Sequence, residues 1–250
     1  MESEVFGGKK NFKNIRNCTH PDDDIIACGG STAKHLAHGN EVFVAYVTYG
    51  DAECPEIPAE EFTKIRKRET FNAARVIGLR KENLFFLEEK PWRLNTERVR
   101  FELLELVRQI RPQVCYIPHA ADTHVDHRIV SQEAFDAINM APSKWFRKYG
   151  SSKESFPAPI ILAYEVWTPL LFPNYFEDIT DFLEIKMKAL REHKTQAVAK
   201  YKQAYRGMNA FRGAMHEGKT VPYAEAFEVL KIPNLFFENK ENSTVPIISY

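Results

Sequence analysis

The chain has only four cysteines in 250 residues, Cys18, Cys28, Cys54 and Cys115, and no two of them form a Cys-x-x-Cys pair. That is too sparse for a disulfide scaffold and does not fit a thiolate metal site, so reduced thiols in a cytoplasmic protein are expected. Long apolar runs are also missing. The most apolar stretch, 158–172, is interrupted by Pro159, Glu165 and Pro169 and falls short of the roughly 20 apolar residues a spanning helix needs. The first ten residues, Met1 to Lys10, lack the apolar core of a secretory signal, so none is expected. Net charge is absent as well: 34 basic and 34 acidic side chains cancel, which removes the positive field of a general nucleic-acid binder. Nor is the chain poor in core-forming residues. At 44% hydrophobic, 12% aromatic and 27% charged, it is composed as a folded globular protein.

At roughly 150 residues per domain the length allows one large domain, expected here over 1–250, with an α/β core in 1–172 and a largely helical part with a short strand in 173–250. The run Glu41 to Thr48 is continuously β-branched or aromatic, as in a strand buried on both faces of a parallel sheet. Leu84 to Leu87, Val114 to Ile117 and Ile160 to Val166 are shorter strands of the same kind. Between them, Ser31 to His38, Glu60 to Ile77 and Thr96 to Ile110 read as helices, each followed by glycine or proline punctuation. Asn11 to Thr19 is very polar for a central strand and is read as one because of the residues directly after it, His20 to Asp24. Beyond Pro173, Thr180 to about Arg212 carries a helical stripe, and Tyr223 to Leu230 follows as a shorter segment; Gly150 to Ser155 reads as a loop. The alternation predicts a Rossmann-like, three-layer α/β/α fold with a mostly parallel sheet and a helical C-terminal extension. Ligands of such sheets sit beyond the carboxyl ends of the strands.

Two polar clusters fall at such positions: His20-Pro21-Asp22-Asp23-Asp24 after the first strand, and His124-Val125-Asp126-His127 after the strand ending at Ile117. Each has a plain structural reading, the first as a capped helix start and the second as a polar helix entry. Together they offer more. A catalytic transition-metal centre takes three imidazole or carboxylate ligands and keeps a position open, and His20, Asp23 and His127 can supply that set. Asp22 is then left as a carboxylate suited to a general base. His124, with Asp126 fixing its tautomer and keeping it cationic, suits oxyanion stabilisation or proton delivery to a leaving amine. Metal-assisted amide hydrolysis fits these residues.

His-Pro-Asp-Asp followed by Gly29-Gly30, with Pro118-x-x-x-Asp122-x-His124-x-Asp126-His127, resembles the LmbE-like (PIG-L) N-acetylglucosaminyl deacetylases. Arg66-x-x-Glu69 and His193-x-x-Gln196 extend the resemblance over most of the chain. It implies one Zn²⁺ per chain held by His20, Asp23 and His127, a base at Asp22, and an acid or oxyanion partner at His124 oriented by Asp126. The implied reaction frees acetate and an amine from an N-acetylglucosamine-containing glycoconjugate. Arg66 is the implied substrate contact, and Asp51, in the loop after Glu41 to Thr48, is a further candidate from its position. Where the family usually has Glu after the two aspartates, this chain has Asp24.

Two other readings stand beside this one. Two histidines and a carboxylate also describe a non-haem Fe(II) centre, which leaves Asp22 unexplained. A non-catalytic sugar- or metal-binding protein on the same fold needs neither Asp22 nor His124. Metabolic enzymes of this size commonly assemble as symmetric homo-oligomers.

Overall fold

The computed structural model describes residues 12–52, 54, 56–146, 157–196, 198–216, 218 and 220–232. Seven strands form one sheet: β1 (Lys13–Cys18), β2 (Glu41–Thr48), β3 (Leu84–Glu89), β4 (Val114–Pro118), β5 (Ile160–Tyr164), β6 (Tyr175–Asp178) and β7 (Ala224–Lys231), in the order β3-β2-β1-β4-β5-β7-β6. The first five are parallel; β7 runs antiparallel to both β5 and β6. Helices α1 (Asp23–Ala37), α2 (Ala59–Ile77) and α5 (Leu183–Leu190) cover one face, α3 (Thr96–Ile110) and α4 (Val125–Met140) the other. A sixth helix, α6 (Val198–Ala214), packs on β7. The expected three-layer, mostly parallel α/β fold is the observed one.

Polar β1 is nevertheless an interior strand, paired to β2 from Lys13 to Cys18 and to β4 from Asn14 to Arg16. Its side chains find uncommon burial partners in place of an apolar face. The Asn17 amide donates to the Tyr116 carbonyl at 3.2 Å, the Tyr164 hydroxyl donates to the Asn17 carbonyl at 2.9 Å, and the Arg16 guanidinium lies 4.3 Å from the Tyr116 ring centre. Asn11, the expected start of this strand, and the loop Gly150 to Ser155 lie outside the described residues, as do residues 1–10.

The C-terminal part differs from expectation. The helical stretch expected from Thr180 to about Arg212 is the two helices α5 and α6, and Tyr223 to Leu230 belongs to a strand. That segment, Ala-Glu-Ala-Phe-Glu-Val-Leu-Lys, is short and half apolar, where periodicity does not separate helix from strand. Pairing against β5 decides it. With β6 it gives two added strands where one was expected. Helix α1 also starts eight residues before the expected Ser31, and Gly30 shows why its surface is small: a Cβ there would lie 2.6 Å from the Ile179 side chain. The glycine pair thus serves helix packing. None of the described helices is long and apolar enough to cross a membrane.

β1 sits where the sheet reverses its winding: its helix α1 goes to one face, while α4, after neighbouring β4, goes to the other. Loops leaving such a switch point diverge and open a crevice at the carboxyl ends of the strands. The two polar clusters of the sequence are these two loops.

Candidate metal centre and its surroundings

After β1 the chain turns through His20 and Pro21 into α1, whose N-cap is Asp22 in the left-handed region, φ 109°. Aspartate is among the few non-glycine residues that tolerate that region. No side chain caps α1, and Pro21 lies before the helix. The sharp turn brings Asp23 back on His20, whose backbone N–H donates to Asp23 Oδ2 at 2.8 Å. From the other loop, α4 carries His127 into the same crevice. His20 Nδ1 is 3.2 Å from His127 Nε2 and 3.7 Å from Asp23 Oδ2, and His127 Nε2 is 3.4 Å from that same oxygen. All three residues are buried, and their ligand atoms form a metal-competent group.

Those separations test whether a metal fits. Tetrahedral coordination with bonds of about 2.0–2.1 Å places neighbouring ligand atoms about 3.3–3.4 Å apart. The three observed edges straddle that value, and no rearrangement of the backbone is needed. Two imidazoles and a carboxylate also match the donor preferences of zinc and its neighbours.

Carboxylates stand behind the histidines. Asp122 Oδ2 lies 3.5 Å from His127 Nδ1, and the same carboxylate accepts the backbone N–H groups of His124, Trp167 and Thr168. Burial opposes ionisation of Asp122, but His127 and these amides outweigh it and bring its pKa down to about 2. Burial likewise opposes a charge on His127, yet Asp23, Asp122 and Asp22 together raise its pKa. A carboxylate on the far nitrogen is the usual support of a metal-bound histidine. Asp122 is part of the motif but has no assigned role from sequence; its position five residues before His127 is the signal that could have supplied one.

Asp126 departs from its expected role. Its carboxylate does not hold His124: it accepts the Trp92 N–H at 2.9 Å and lies 3.7 Å from His20 Nε2. What fixes His124 is the Asp126 backbone N–H, which donates to His124 Nδ1 at 3.2 Å, because His124 is the N-cap of α4. An N–H can only donate, so Nδ1 is the acceptor and the neutral ring carries its proton on Nε2. Burial, with the charges of His20 and His127, lowers the His124 pKa, so the cationic state expected from sequence is disfavoured.

Arg66 is also placed differently. Expected to meet substrate, it is 1% exposed, with Nε donating to the Tyr49 carbonyl at 3.2 Å and Nη2 to the Pro21 carbonyl at 2.7 Å. Its Nη2 also lies 3.5 Å from Asp22 Oδ1. Room for it comes from Gly50, φ 64°, where a Cβ would sit 2.9 Å from Nη2. Glu69, three residues on in the same helix, accepts the backbone N–H and hydroxyl of Thr195. Asp51 is held by Thr63 and Lys90 and is not brought into the histidine cluster. Asp24 is buried, accepts the Tyr46 hydroxyl at 2.9 Å, and is pushed by burial up to about 6. His193 is fully buried near Arg66, and neither ring nitrogen has a hydrogen-bond partner.

Comparison with known proteins agrees with this architecture. The family model described as GlcNAc-PI de-N-acetylase (PIG-L) matches residues 18–138. Diacetylchitobiose deacetylase of Thermococcus kodakarensis is 29% identical over 184 residues, 71% of this chain and 67% of the relative. The structure of N,N'-diacetylchitobiose deacetylase from Pyrococcus horikoshii aligns with a TM-score of 0.76 at 25% identity, covering 96% of this chain and 93% of the other. A 4-carboxy-2-hydroxymuconate hydratase from Pseudomonas putida KT2440 aligns with a TM-score of 0.77 at 19% identity, covering 88% and 97%, a likeness of fold. Residues 18–138, which hold both loops of the centre, thus carry a PIG-L (LmbE-like) family domain.

Proposed function

We propose that this protein is a zinc-dependent hydrolase that removes the N-acetyl group from an N-acetylglucosamine-containing small glycoconjugate. The observation that carries the reading is the buried His20, Asp23 and His127 group at the switch point, with the Asp22 carboxylate beside it and not needed as a ligand. The two similar enzymes named for deacetylating diacetylchitobiose support the substrate class.

His20 Nδ1, Asp23 Oδ2 and His127 Nε2 would hold one Zn²⁺. When bound, that ion supplies Lewis acidity, which makes water a competent nucleophile near neutral pH and polarises a carbonyl oxygen. Everything else falls to the chain. Asp22 takes the proton from the attacking water, and Arg66, gripping both Pro21 and Asp22, fixes where that carboxylate points. His124 presents its Nε2–H to the oxygen that becomes negative as water adds to the acetamide carbon. The proton accepted by Asp22 then goes to the nitrogen as the C–N bond breaks, giving acetate and a free amine. Asp122 and Asp126 keep His127 and His20 in register.

The test is acetate release from a panel of N-acetylglucosamine conjugates by chelator-stripped and Zn²⁺-restored protein. Release that follows the metal from at least one conjugate is expected. Zinc-loaded protein inert toward the whole panel, or equal release without metal, contradicts the reading.

A further inference from the structure

Among the described residues, Asp22 (φ 109°), Glu88 (φ 60°), Trp92 (φ 65°) and Arg111 (φ 54°) are the non-glycine positions in the left-handed region. Arg111 simply ends α3. The other three lie in or beside the loops at the carboxyl ends of β1 and β3. For a bulky aromatic residue such a backbone is an outlier that persists only where its surroundings enforce it, and outliers of this kind gather at functional sites.

The enforcement at Trp92 is visible. Its N–H donates at 2.9 Å to Oδ2 of Asp126, a fully buried carboxylate whose same oxygen lies 3.7 Å from His20 Nε2. Asp126 therefore ties the loop after β3 to the metal centre. The conformation sets the indole 4.5 Å, centroid to centroid, from the His124 ring, tilted by 36°. Yet the residue stays 59% exposed. A strained backbone and a buried carboxylate thus hold a large apolar surface open to solvent, against the imidazole assigned above to the reacting carbonyl. Burial alone would favour folding that ring inward.

An N-acetylated pyranose has the matching chemistry: a face of C–H groups that packs on an aromatic ring, with hydroxyls around its edge left for polar partners. We infer that Trp92 is the platform on which the sugar ring stacks, a specificity-determining residue that places the acetamide beside His124. The inference rests on the deacetylase reading above.

The test measures calorimetric binding of N,N'-diacetylchitobiose to zinc-loaded full chain carrying Asp22→Asn, alone and combined with Trp92→Gly, Trp92→Phe or Trp145→Ala. Glycine adopts a positive φ without strain, so Trp92→Gly removes the ring and relaxes the backbone, and the variant is expected to fold. Trp145 is 90% exposed and serves as the control. With a platform at Trp92, Trp92→Gly raises Kd about tenfold, while Trp92→Phe and Trp145→Ala stay within about twofold of the parent. With Asp22 restored, KM follows Kd and kcat holds.

Unchanged binding in Trp92→Gly, failure of phenylalanine to substitute, or no measurable binding by the parent overturns the platform. So does a fall in kcat with KM unchanged, which would make Trp92 a packing support for His124. If the chain with Asp22 intact releases no acetate from any member of the conjugate panel while binding still depends on Trp92, the hydrolase reading fails and the platform stands.

Discussion

His193 should make the protein acid-labile in a way one substitution can remove. Its ring is fully buried without a hydrogen-bond partner, and burial, reinforced by the Arg66 charge, lowers its pKa to about 3. In the unfolded chain a histidine titrates near 6.5. The folded value is the lower one, so the unfolded state binds more protons below pH 6.5, and stability present above that pH is lost as pH falls. At pH 5 the unfolded histidine is favoured by a factor of about 30, or about 2 kcal/mol, and the full 3.5-unit gap is worth about 5 kcal/mol below pH 3. His35, buried and lowered to about 3 by the same desolvation and by Arg16, adds a similar amount. From pH 7 to pH 5 the pair should therefore remove about 4 kcal/mol, a large share of the stability of an ordinary domain. Urea unfolding at the two pH values reads this directly. His193→Leu should lose about 2 kcal/mol less than wild type over that interval, and should cost under about 1 kcal/mol at pH 7 because no partner is orphaned. An identical pH 7 to pH 5 loss in wild type and His193→Leu would refute the reasoning.

Three further outcomes are expected. Lys186 donates at 2.8 Å to fully buried Glu225, which also accepts the N–H groups of Gly30 and Ser31, so Lys186→Met should cost about 3–5 kcal/mol in denaturant unfolding by stranding that carboxylate. Gly30→Ala, with its Cβ 2.6 Å from Ile179, should cost about 1–3 kcal/mol by forcing α1 off its neighbours, read as a lowered Tm. Arg66→Met should keep one zinc per chain but lower kcat about 10- to 100-fold at nearly constant KM, because the guanidinium positions Asp22 and does not carry substrate.

How much the sequence disclosed depended on where each residue's signal resides. The parallel core was readable because Glu41 to Thr48 and Val114 to Ile117 are apolar on both faces, a pattern with one common structural meaning. The clustering of His20, Asp23 and His127 was readable because these residues are chemically unusual and fall after strands. β1 was harder, since Asn14, Arg16 and Asn17 take their place through pairing with both neighbours and through Tyr116 and Tyr164, which lie far away in the chain. β7 stayed untyped for the same reason, its identity being set by β5 and β6. The roles of Asp126 and Arg66 turn on which of two reachable partners a side chain takes. Backbone geometry decides that: the N-cap at His124 occupies Nδ1 with a main-chain N–H, and the left-handed turn at Trp92 claims the Asp126 carboxylate. Trp92 itself gave no signal, because an isolated tryptophan in a polar loop has no periodicity to break.

The central claim is that Asp22 serves as a base beside a metal that His20, Asp23 and His127 hold without it. Its most direct test is to measure zinc content and acetate release together in wild type and Asp22→Asn, with His127→Ala as the ligand control. The account predicts one zinc per chain in wild type and in Asp22→Asn, a loss of zinc in His127→Ala, and a fall in kcat of about two orders of magnitude or more for Asp22→Asn. Near wild-type turnover in Asp22→Asn, or loss of its zinc, would contradict it.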